Sequence, residues 1–168
     1  MTDGAPGAGP IHVLLIDDEP DLLESLSYWL TAKGYQVTTA SSGPQGLEQL
    51  KQRRPDVIFL DVRMPGMDGI ETLRRIRAMD KDIPVVLVTA DSLTDESKYA
   101  GARALGISGL FPKGASLSQL GEVLEVALRR IRKAEDASPS PDASPRGPLG
   151  SVLSAVRSAL ARLTPPKR

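Results

Sequence analysis

Five polar residues stand where apolar runs of the sequence end, and their types could together carry out phosphoryl chemistry. Asp17 and Asp18 follow the first run, Asp61 follows the third, Thr89 ends the fourth, and Lys113 comes shortly after the fifth. Converging carboxylates repel one another unless a cation lies among them, and hard oxygen ligands completed by water suit Mg²⁺. With the cation screening the charge, Asp61 could be both a ligand and a nucleophile toward a phosphoryl group. Lys113 and Thr89 would then bind the phosphoryl oxygens, so the sequence predicts a phosphate-accepting site.

The apolar runs alternate with helical patterns, and these elements would position the polar residues. The runs cover residues 11–16, 35–40, 57–60, 83–88 and 108–111. Because four of them are continuously apolar, they indicate an α/β fold in which helices cover both faces of a five-stranded parallel sheet. Capping boxes of Asp68 with Glu71 and of Ser116 with Gln119 predict where two of the five helices begin. In such sheets, functional groups collect beyond the carboxyl ends of the strands, which is where the five polar residues stand.

The composition fits an ordinary globular protein and excludes several kinds of site. Hydrophobic residues make up 40% of the chain and charged residues 25%, and no apolar run approaches the roughly 18 residues of a membrane span. The first ten residues do not form a signal peptide, so we predict a cytoplasmic protein with no membrane span. Because the sequence contains no cysteine, disulfides, thiolate metal sites and a cysteine nucleophile are excluded.

The ends of the chain differ in composition from its centre. All 21 acidic residues lie at or before Asp142, whereas five basic residues follow it. A stripe formed by Leu153, Val156, Leu160 and Leu163 predicts a short amphipathic helix, which could dock back on the domain, mediate dimers, or bind an outside partner or an anionic membrane. The predicted organisation is a disordered N-terminus (1–10), one α/β domain (11–134), a Pro/Ser-rich linker (135–150), the short helix (151–163) and a basic tail (164–168).

The polar residues and their neighbours together resemble a known family. Asp17-Asp18, Asp61 with Met64-Pro65-Gly66-Met67-Asp68-Gly69 after it, Thr89-Ala90 and Lys113 match, in order and spacing, the receiver domain of two-component response regulators over about residues 11–133. The resemblance implies a flavodoxin-like, doubly wound sheet. It also implies that Asp61 accepts a phosphoryl group from a histidine kinase or a histidine phosphotransfer protein.

The same resemblance assigns roles to single residues. It implies that Asp18, Asp61 and the backbone carbonyl of Arg63 ligate Mg²⁺, while Asp17 acts through a water molecule. The resemblance also implies that Lys113 pairs with the acceptor or with the phosphoryl group, and that Thr89 shifts to bind a phosphoryl oxygen. Arg63 and Asp91 occupy positions that tune the rate of dephosphorylation in this family.

Two positions depart from the family pattern. The family usually has an aromatic residue three before the lysine, where this chain has Leu110, and the aromatic residue here is Phe111. Because neighbouring strand residues face opposite sides of a sheet, Phe111 cannot simply replace it. In addition, a proline commonly follows the family lysine, whereas here Pro112 precedes Lys113 and Gly114 follows it.

We therefore predict a stand-alone receiver, a signalling switch whose phosphorylation changes its contacts with an unknown downstream protein. It would catalyse its own phosphorylation and dephosphorylation without being a turnover enzyme. The predicted partners include no DNA-binding domain, because the residues after 135 are too few for a winged or three-helix domain, and they include a dimer through the last receiver helices or the C-terminal helix. Two other polar side chains have simpler interpretations: Glu19 as a solvated acid at a helix start, and His12, which lies early in the first strand and far from the carboxyl ends, as a structural residue.

Two alternatives remain at this point. The first is a scaffold with a receiver fold and a vestigial site. The second is a metal-dependent phosphatase or phosphotransferase with an aspartyl-phosphate intermediate. Phosphatases of the haloacid dehalogenase type carry Asp-x-Asp after the first strand, whereas here Glu19 follows the adjacent pair and Asp61 lies two strands later.

Overall fold

Five parallel strands and five helices alternate along the part of the chain that the structure, a computed structural model, describes: residues 9–91 and 99–137, with side chains through Arg129. The elements are β1 (His12–Ile16), α1 (Pro20–Ala32), β2 (Gln36–Ala40), α2 (Gly43–Gln52), β3 (Val57–Asp61), α3 (Gly69–Met79), β4 (Val85–Thr89), α4 (Ala100–Ala104), β5 (Gly109–Pro112) and α5 (Leu117–Ala137). The strand order is β2-β1-β3-β4-β5. The predicted flavodoxin-like, doubly wound α/β fold is thus confirmed, with the order reversing between β1 and β3.

The central strands are apolar throughout because both faces of the sheet are covered. Every residue of β1, β3 and β4 is buried. Their side chains alternate between two core clusters, one shared with α2, α3 and α4 and the other with α1 and α5. On the first side lie Leu14, Ile16, Ile58, Leu60 and Leu87, and on the second lie Val13, Leu15, Phe59, Val86 and Val88. This alternation later decides which way each residue at the strand ends points.

The spacing of Leu22, Leu26, Trp29 and Leu30 predicts a buried stripe on the helix after the first strand, and α1 buries a slightly different one. Leu23, Leu26 and Leu30 are buried, whereas Leu22 and Trp29, which the predicted stripe included, are only half-buried. The helix is therefore rotated by part of a turn relative to the prediction. Because Leu22 and Leu23 are both apolar, periodicity alone does not show which of them begins the buried stripe.

The two predicted capping boxes differ in how completely they form. Asp68 caps α3 by accepting the Glu71 backbone N–H at 2.8 Å, but the Glu71 carboxylate accepts from Arg75 at 2.9 Å instead of returning to the cap. At α5, both halves are present: Ser116 Oγ accepts from Gln119 N at 3.3 Å, and Gln119 Oε1 accepts from Ser116 N at 3.0 Å. Both helices begin where the sequence predicted.

Several predicted segments fall outside the described residues. These are most of the N-terminal segment, most of the linker, the short amphipathic helix and the basic tail. Helix α5 continues to Ala137, three residues into the predicted linker at 135–150. The domain boundaries therefore stay predictions, as does the cytoplasmic location. Among the residues that the structure describes, no helix is both long enough and apolar enough to cross a membrane.

His12, the only histidine of the chain, is the group through which we expect pH to affect the stability of the domain. It is buried in β1, with Nε2 2.8 Å from Thr38 Oγ1. Nδ1 has no hydrogen-bond partner among the described residues. Burial and the charge of Arg53 lower the pKa of His12, so the folded state disfavours the imidazolium.

We expect acidification to destabilise the domain through this histidine. Between the folded pKa and the unfolded value near 6.5, the unfolded state binds more protons, so the free energy of unfolding falls as pH decreases through that window. Urea midpoints at pH 7.5 and 5.5, measured for wild type and for His12→Gln, check this result. The difference between the two proteins isolates the histidine from other groups that titrate there. An equal pH response in both would contradict the prediction.

Candidate functional site

The register of the sheet brings four of the predicted site residues to one edge. Strands β1 and β3 pair with Ile16 opposite Leu60, so Asp17 and Asp61 leave the sheet side by side. Thr89 ends β4, the other neighbour of β3, and its carbonyl accepts the Lys113 backbone N–H at 2.8 Å. Because all these strands are parallel, their carboxyl ends meet at one edge of the sheet.

Three carboxylates gather at this edge, and two of them are buried. Asp61 is 2% exposed and Asp17 is 4% exposed, whereas Asp18 is exposed. One oxygen from each of the three lies within 4.8 Å of the others. Burial, together with the negative charge of Asp17, raises the pKa of Asp61 to about 6. A carboxylate with a raised pKa is more basic and therefore a better nucleophile than a solvated one.

Lys113 is the cation that faces these carboxylates. Its Nζ lies 3.2 Å from Asp61 Oδ2, 3.2 Å from Asp17 Oδ1 and 2.5 Å from Glu19 Oε1. Burial alone would lower the pKa of Lys113, but the hydrogen bonds to Glu19, Asp17 and Asp61 outweigh it and raise the pKa. The ammonium is therefore charged at any physiological pH, with all three of its protons directed at carboxylates.

Glu19 differs from the sequence-based interpretation of a solvated acid. It stands at the N-cap of α1 and its side chain is 59% exposed, but the side chain makes no capping hydrogen bond, and its carboxylate reaches Lys113 instead. The sequence contained no signal for this contact, because it joins residues 94 positions apart. Glu19 therefore adds a further negative charge to the site.

The charges at this edge fit a divalent cation bound by oxygen. One ammonium faces the carboxylates of Asp17, Asp61 and Glu19, with that of Asp18 beside them, so negative charge is in excess. Asp17 Oδ2 is buried 3.0 Å from Lys113 Nζ, yet it has no aligned hydrogen-bond donor among the described residues. Clustered carboxylate oxygens with an unsatisfied buried atom form the donor set that Mg²⁺ takes.

Arg63, two residues after Asp61, contacts the site through its backbone. Its backbone N–H donates to Asp61 Oδ1 at 3.2 Å, which holds the orientation of that carboxylate. Its guanidinium, 68% exposed, forms an ion pair with Asp91, and this pairing raises the pKa of Arg63. The two positions that the family resemblance linked to dephosphorylation thus contact each other at the surface.

Thr89 points away from the other predicted site residues. By strand alternation it lies on the side of Leu87, the side of α3 and α4, whereas Asp61 follows the alternation of Phe59 to the other side. The Thr89 hydroxyl lies 2.7 Å from the hydroxyl of Tyr99, a contact that the sequence did not predict. The structure brings Asp17, Asp61 and Lys113 together, while Thr89 has a different partner.

The two departures from the family pattern are visible in β5. Leu110 pairs with Leu87 in register and packs, half-buried, on the side of α3 and α4. Phe111 is 1% exposed and packs on the opposite side with α1 and α5. The prediction that these two side chains face opposite sides of the sheet is therefore confirmed.

Comparison with known proteins supports the same family. A family model described as "Response regulator receiver domain" matches residues 13–125. The transcriptional regulatory protein PrrA of Mycobacterium leprae (strain TN) is 36% identical over 85% of this chain and 60% of its own length. The response regulator MprA of Mycobacterium avium (strain 104) is 35% identical over 76% of this chain and 55% of its own length. The chain thus spans a little more than half the length of these curated relatives.

Solved structures show the same likeness. The chemotaxis protein CheY4 of Vibrio cholerae is 29% identical, with a TM-score of 0.66, and the match covers 71% of this chain and 99% of that one. The response regulator TrrA of Thermotoga maritima, solved in complex with Mg²⁺ and BeF, is 29% identical with a TM-score of 0.63, covering 70% of this chain and 99% of that one. Both matches support the assigned fold.

These relatives correct the predicted partners. We predicted output through protein contact with no DNA-binding domain, but PrrA is named as a transcriptional regulatory protein and is considerably longer than the matched part of this chain. The partner prediction was therefore wrong in excluding a DNA-binding domain. It had relied on the number of residues after position 135, which carries no such conclusion when the relatives are longer.

Proposed function

The chain belongs to the family of response regulator receiver domains, and from this premise we propose that Asp61 accepts a phosphoryl group from a histidine kinase or a histidine phosphotransfer protein. Receiver domains are phosphoryl-accepting signalling domains rather than turnover enzymes. The observation that carries the proposal is the position of Asp61, buried at the end of β3, where Lys113 Nζ lies 3.2 Å from its carboxylate and 3.0 Å from that of Asp17. In this proposal the site catalyses both its own phosphorylation and its own dephosphorylation.

Mg²⁺ is the proposed cofactor. Asp18, Asp61 and the backbone carbonyl of Arg63 would hold the ion, and Asp17 would act through a bound water molecule. The clustered carboxylates of Asp17, Asp18 and Asp61 support this assignment, since one oxygen from each lies within 4.8 Å of the others. When bound, the ion screens the repulsion between an anionic nucleophile and an anionic phosphoryl group.

The protein groups of the site have separate roles in the phosphoryl transfer. A carboxylate oxygen of Asp61 attacks phosphorus, the new P–O bond forms, and the P–N bond of the donor phosphohistidine breaks with its electron pair staying on the imidazole. Lys113, already 3.2 Å from Asp61, neutralises charge on the phosphoryl oxygens. The Arg63 N–H keeps the Asp61 carboxylate oriented during the attack. Thr89 donates its hydroxyl to a phosphoryl oxygen of the product.

Phosphorylation is expected to require Asp61. With a labelled small phosphodonor such as acetyl phosphate and Mg²⁺, wild type should incorporate one base-labile phosphoryl group, and Asp61→Asn should incorporate none, because an amide is not a nucleophile here. Asp21→Asn, which changes an exposed carboxylate on α1, is the matched control and should be labelled like wild type. Chelation of Mg²⁺ should abolish labelling of wild type.

Each other outcome has a definite meaning. Labelling of Asp61→Asn at the wild-type level would show that the acceptor is another residue. An unlabelled wild type that also fails to accept phosphoryl groups from phosphohistidine donors would favour the vestigial scaffold. Release of phosphate from many donor molecules per protein, without a dependence on Asp61, would contradict a signalling acceptor.

A further inference from the structure

A buried hydrogen bond joins the end of β4 to the beginning of α4. The Thr89 hydroxyl lies 2.7 Å from the Tyr99 hydroxyl, and the two residues are 1% and 2% exposed. Tyr99 is the N-cap residue of α4 and packs in the same core cluster as Leu87, Ala102 and Leu110. Because water cannot easily reach two buried hydroxyl groups, breaking the hydrogen bond between them without supplying new partners is unfavourable in free energy.

The Thr89 hydroxyl has limited capacity for a further partner. A threonine hydroxyl offers one proton and two acceptor positions. The Asp91 backbone N–H, 3.0 Å away, fills one acceptor position, and Tyr99 occupies a second position as donor or acceptor. To reach a phosphoryl group on Asp61, the hydroxyl must turn from the side of α4 toward the side of Lys113, because strand alternation places the two on opposite sides.

We infer that Tyr99 is the positioning residue that holds the Thr89 hydroxyl away from Asp61 in the unphosphorylated protein and transmits phosphorylation to the beginning of α4. This inference rests on the proposed function, because it takes Thr89 as a ligand of the phosphoryl group. When Thr89 turns to the phosphoryl oxygen, the Tyr99 hydroxyl loses its partner inside the core. Tyr99 must then find a new partner, and because it is the N-cap of α4, that adjustment moves the first turn of the helix.

The arrangement of β5 is consistent with this route. Leu110, which stands at the position where the family usually has an aromatic residue, packs in the same cluster as Tyr99 and carries no hydroxyl. Phe111 lies on the other side of the sheet. On the side of the sheet that faces α3 and α4, the aromatic residue that forms a hydrogen bond with Thr89 is therefore Tyr99, from the beginning of α4.

The direct test follows the tyrosine in the wild-type chain. The sequence contains three tyrosines, Tyr28, Tyr35 and Tyr99, so labelling with ¹³Cζ-tyrosine gives three resonances that Tyr→Phe variants assign. Addition of Mg²⁺ and beryllofluoride, a phosphoryl analogue, should shift the Tyr99 resonance, because its hydroxyl changes partner. Tyr28, 80% exposed on α1, is the internal reference and should not shift. An unchanged Tyr99 resonance at saturating beryllofluoride would overturn the inference.

The second test removes only the hydroxyl. If the bond exists solely in the unphosphorylated state, Tyr99→Phe should bind beryllofluoride about 2- to 10-fold more tightly, the range that one net hydrogen bond supports. Tyr28→Phe should bind like wild type. A merely structural role for Tyr99 would leave affinity unchanged or weaken it, and either result would overturn the inference.

The two proposals fail in distinguishable ways. If wild type bound no beryllofluoride and Asp61 was not labelled by acetyl phosphate, the proposed function would fail. If wild type bound the analogue and was labelled, while Tyr99→Phe and wild type had equal affinities, only the role of Tyr99 would fail. Hydrogen exchange of the α4 amides provides the accompanying readout, since their protection should change with beryllofluoride in wild type and less so in Tyr99→Phe.

Discussion

Gly69→Ala is expected to destabilise the domain by about 1–3 kcal/mol and to slow phosphorylation of Asp61 by up to about 100-fold. Gly69 is the first residue of α3, and its N–H donates to the Val62 carbonyl at 2.9 Å. A Cβ at this position would lie 2.1 Å from the Asp61 carbonyl oxygen and 2.7 Å from Val62 Cα. Because both atoms belong to the backbone, relief requires α3 or the end of β3 to move, and either movement displaces the nucleophile.

The effect at Gly69 can be separated from a general effect of alanine. Gly101→Ala is the matched control, because Gly101 is an exposed residue of α4 with no atom near its would-be Cβ. Alanine there should be neutral or stabilising, since it favours the helix. Urea midpoints and initial rates of labelling with acetyl phosphate check both variants. A wild-type labelling rate in Gly69→Ala would show that the end of β3 tolerates the movement.

Most of the fold could be predicted from the sequence because each central strand had to be apolar on both faces. The runs that became β1, β3 and β4 had no polar alternation, which leaves a covered parallel sheet as their natural setting. The edge strand β2 is only half-buried and was recognised by its β-branched residues instead. Strand ends shifted by one or two residues, as with β4, predicted at 83–88 and observed at Val85–Thr89.

The candidate site was partly predictable for a similar reason. Parallel strands end at a common edge, so Asp17, Asp61 and Lys113 could be expected to meet there, and they do. The direction of Thr89 was also implicit in the alternation of β4, but its partner was not, because Tyr99 comes from another element ten residues along the chain. Glu19 shows the same limit, since nothing in its local sequence connects it to Lys113.

Arg77→Met is expected to destabilise the domain by about 2–4 kcal/mol, although the sequence gives no sign of its importance. Three arginines lie close together on α3, and only the last is half-buried. The Arg77 guanidinium donates to four backbone carbonyls at 2.8–3.4 Å. The carbonyl groups belong to Asp80, Ile83, Leu105 and Gly106. One side chain therefore joins the end of α3 to the segments before β4 and after α4.

Methionine keeps most of the apolar stem of Arg77 but leaves these carbonyls without their donor. Water can reach some of them, because the group is only partly buried, and this limits the expected loss. Arg77→Lys should fall between wild type and methionine, since an ammonium offers three protons and lacks the planar fork. In the folded protein burial lowers the pKa of Arg77, and the nearby Asp80 and Asp82 only partly offset this effect, so the folded surroundings favour the charge less than water does.

The neighbouring Arg74 provides the control for this prediction. Its side chain is 62% exposed, and its ion pair with Glu71 is 3.6 Å long, so Arg74→Met should change the free energy of unfolding by less than about 0.5 kcal/mol. Urea unfolding of the three variants and wild type in the same buffer measures the differences. If Arg77→Met fell within the range of Arg74→Met, water would be replacing the guanidinium at all four carbonyls. Because the segment after α4 leads directly into β5, a confirmed loss would mean that Arg77 helps to hold the strand that presents Lys113 to Asp61.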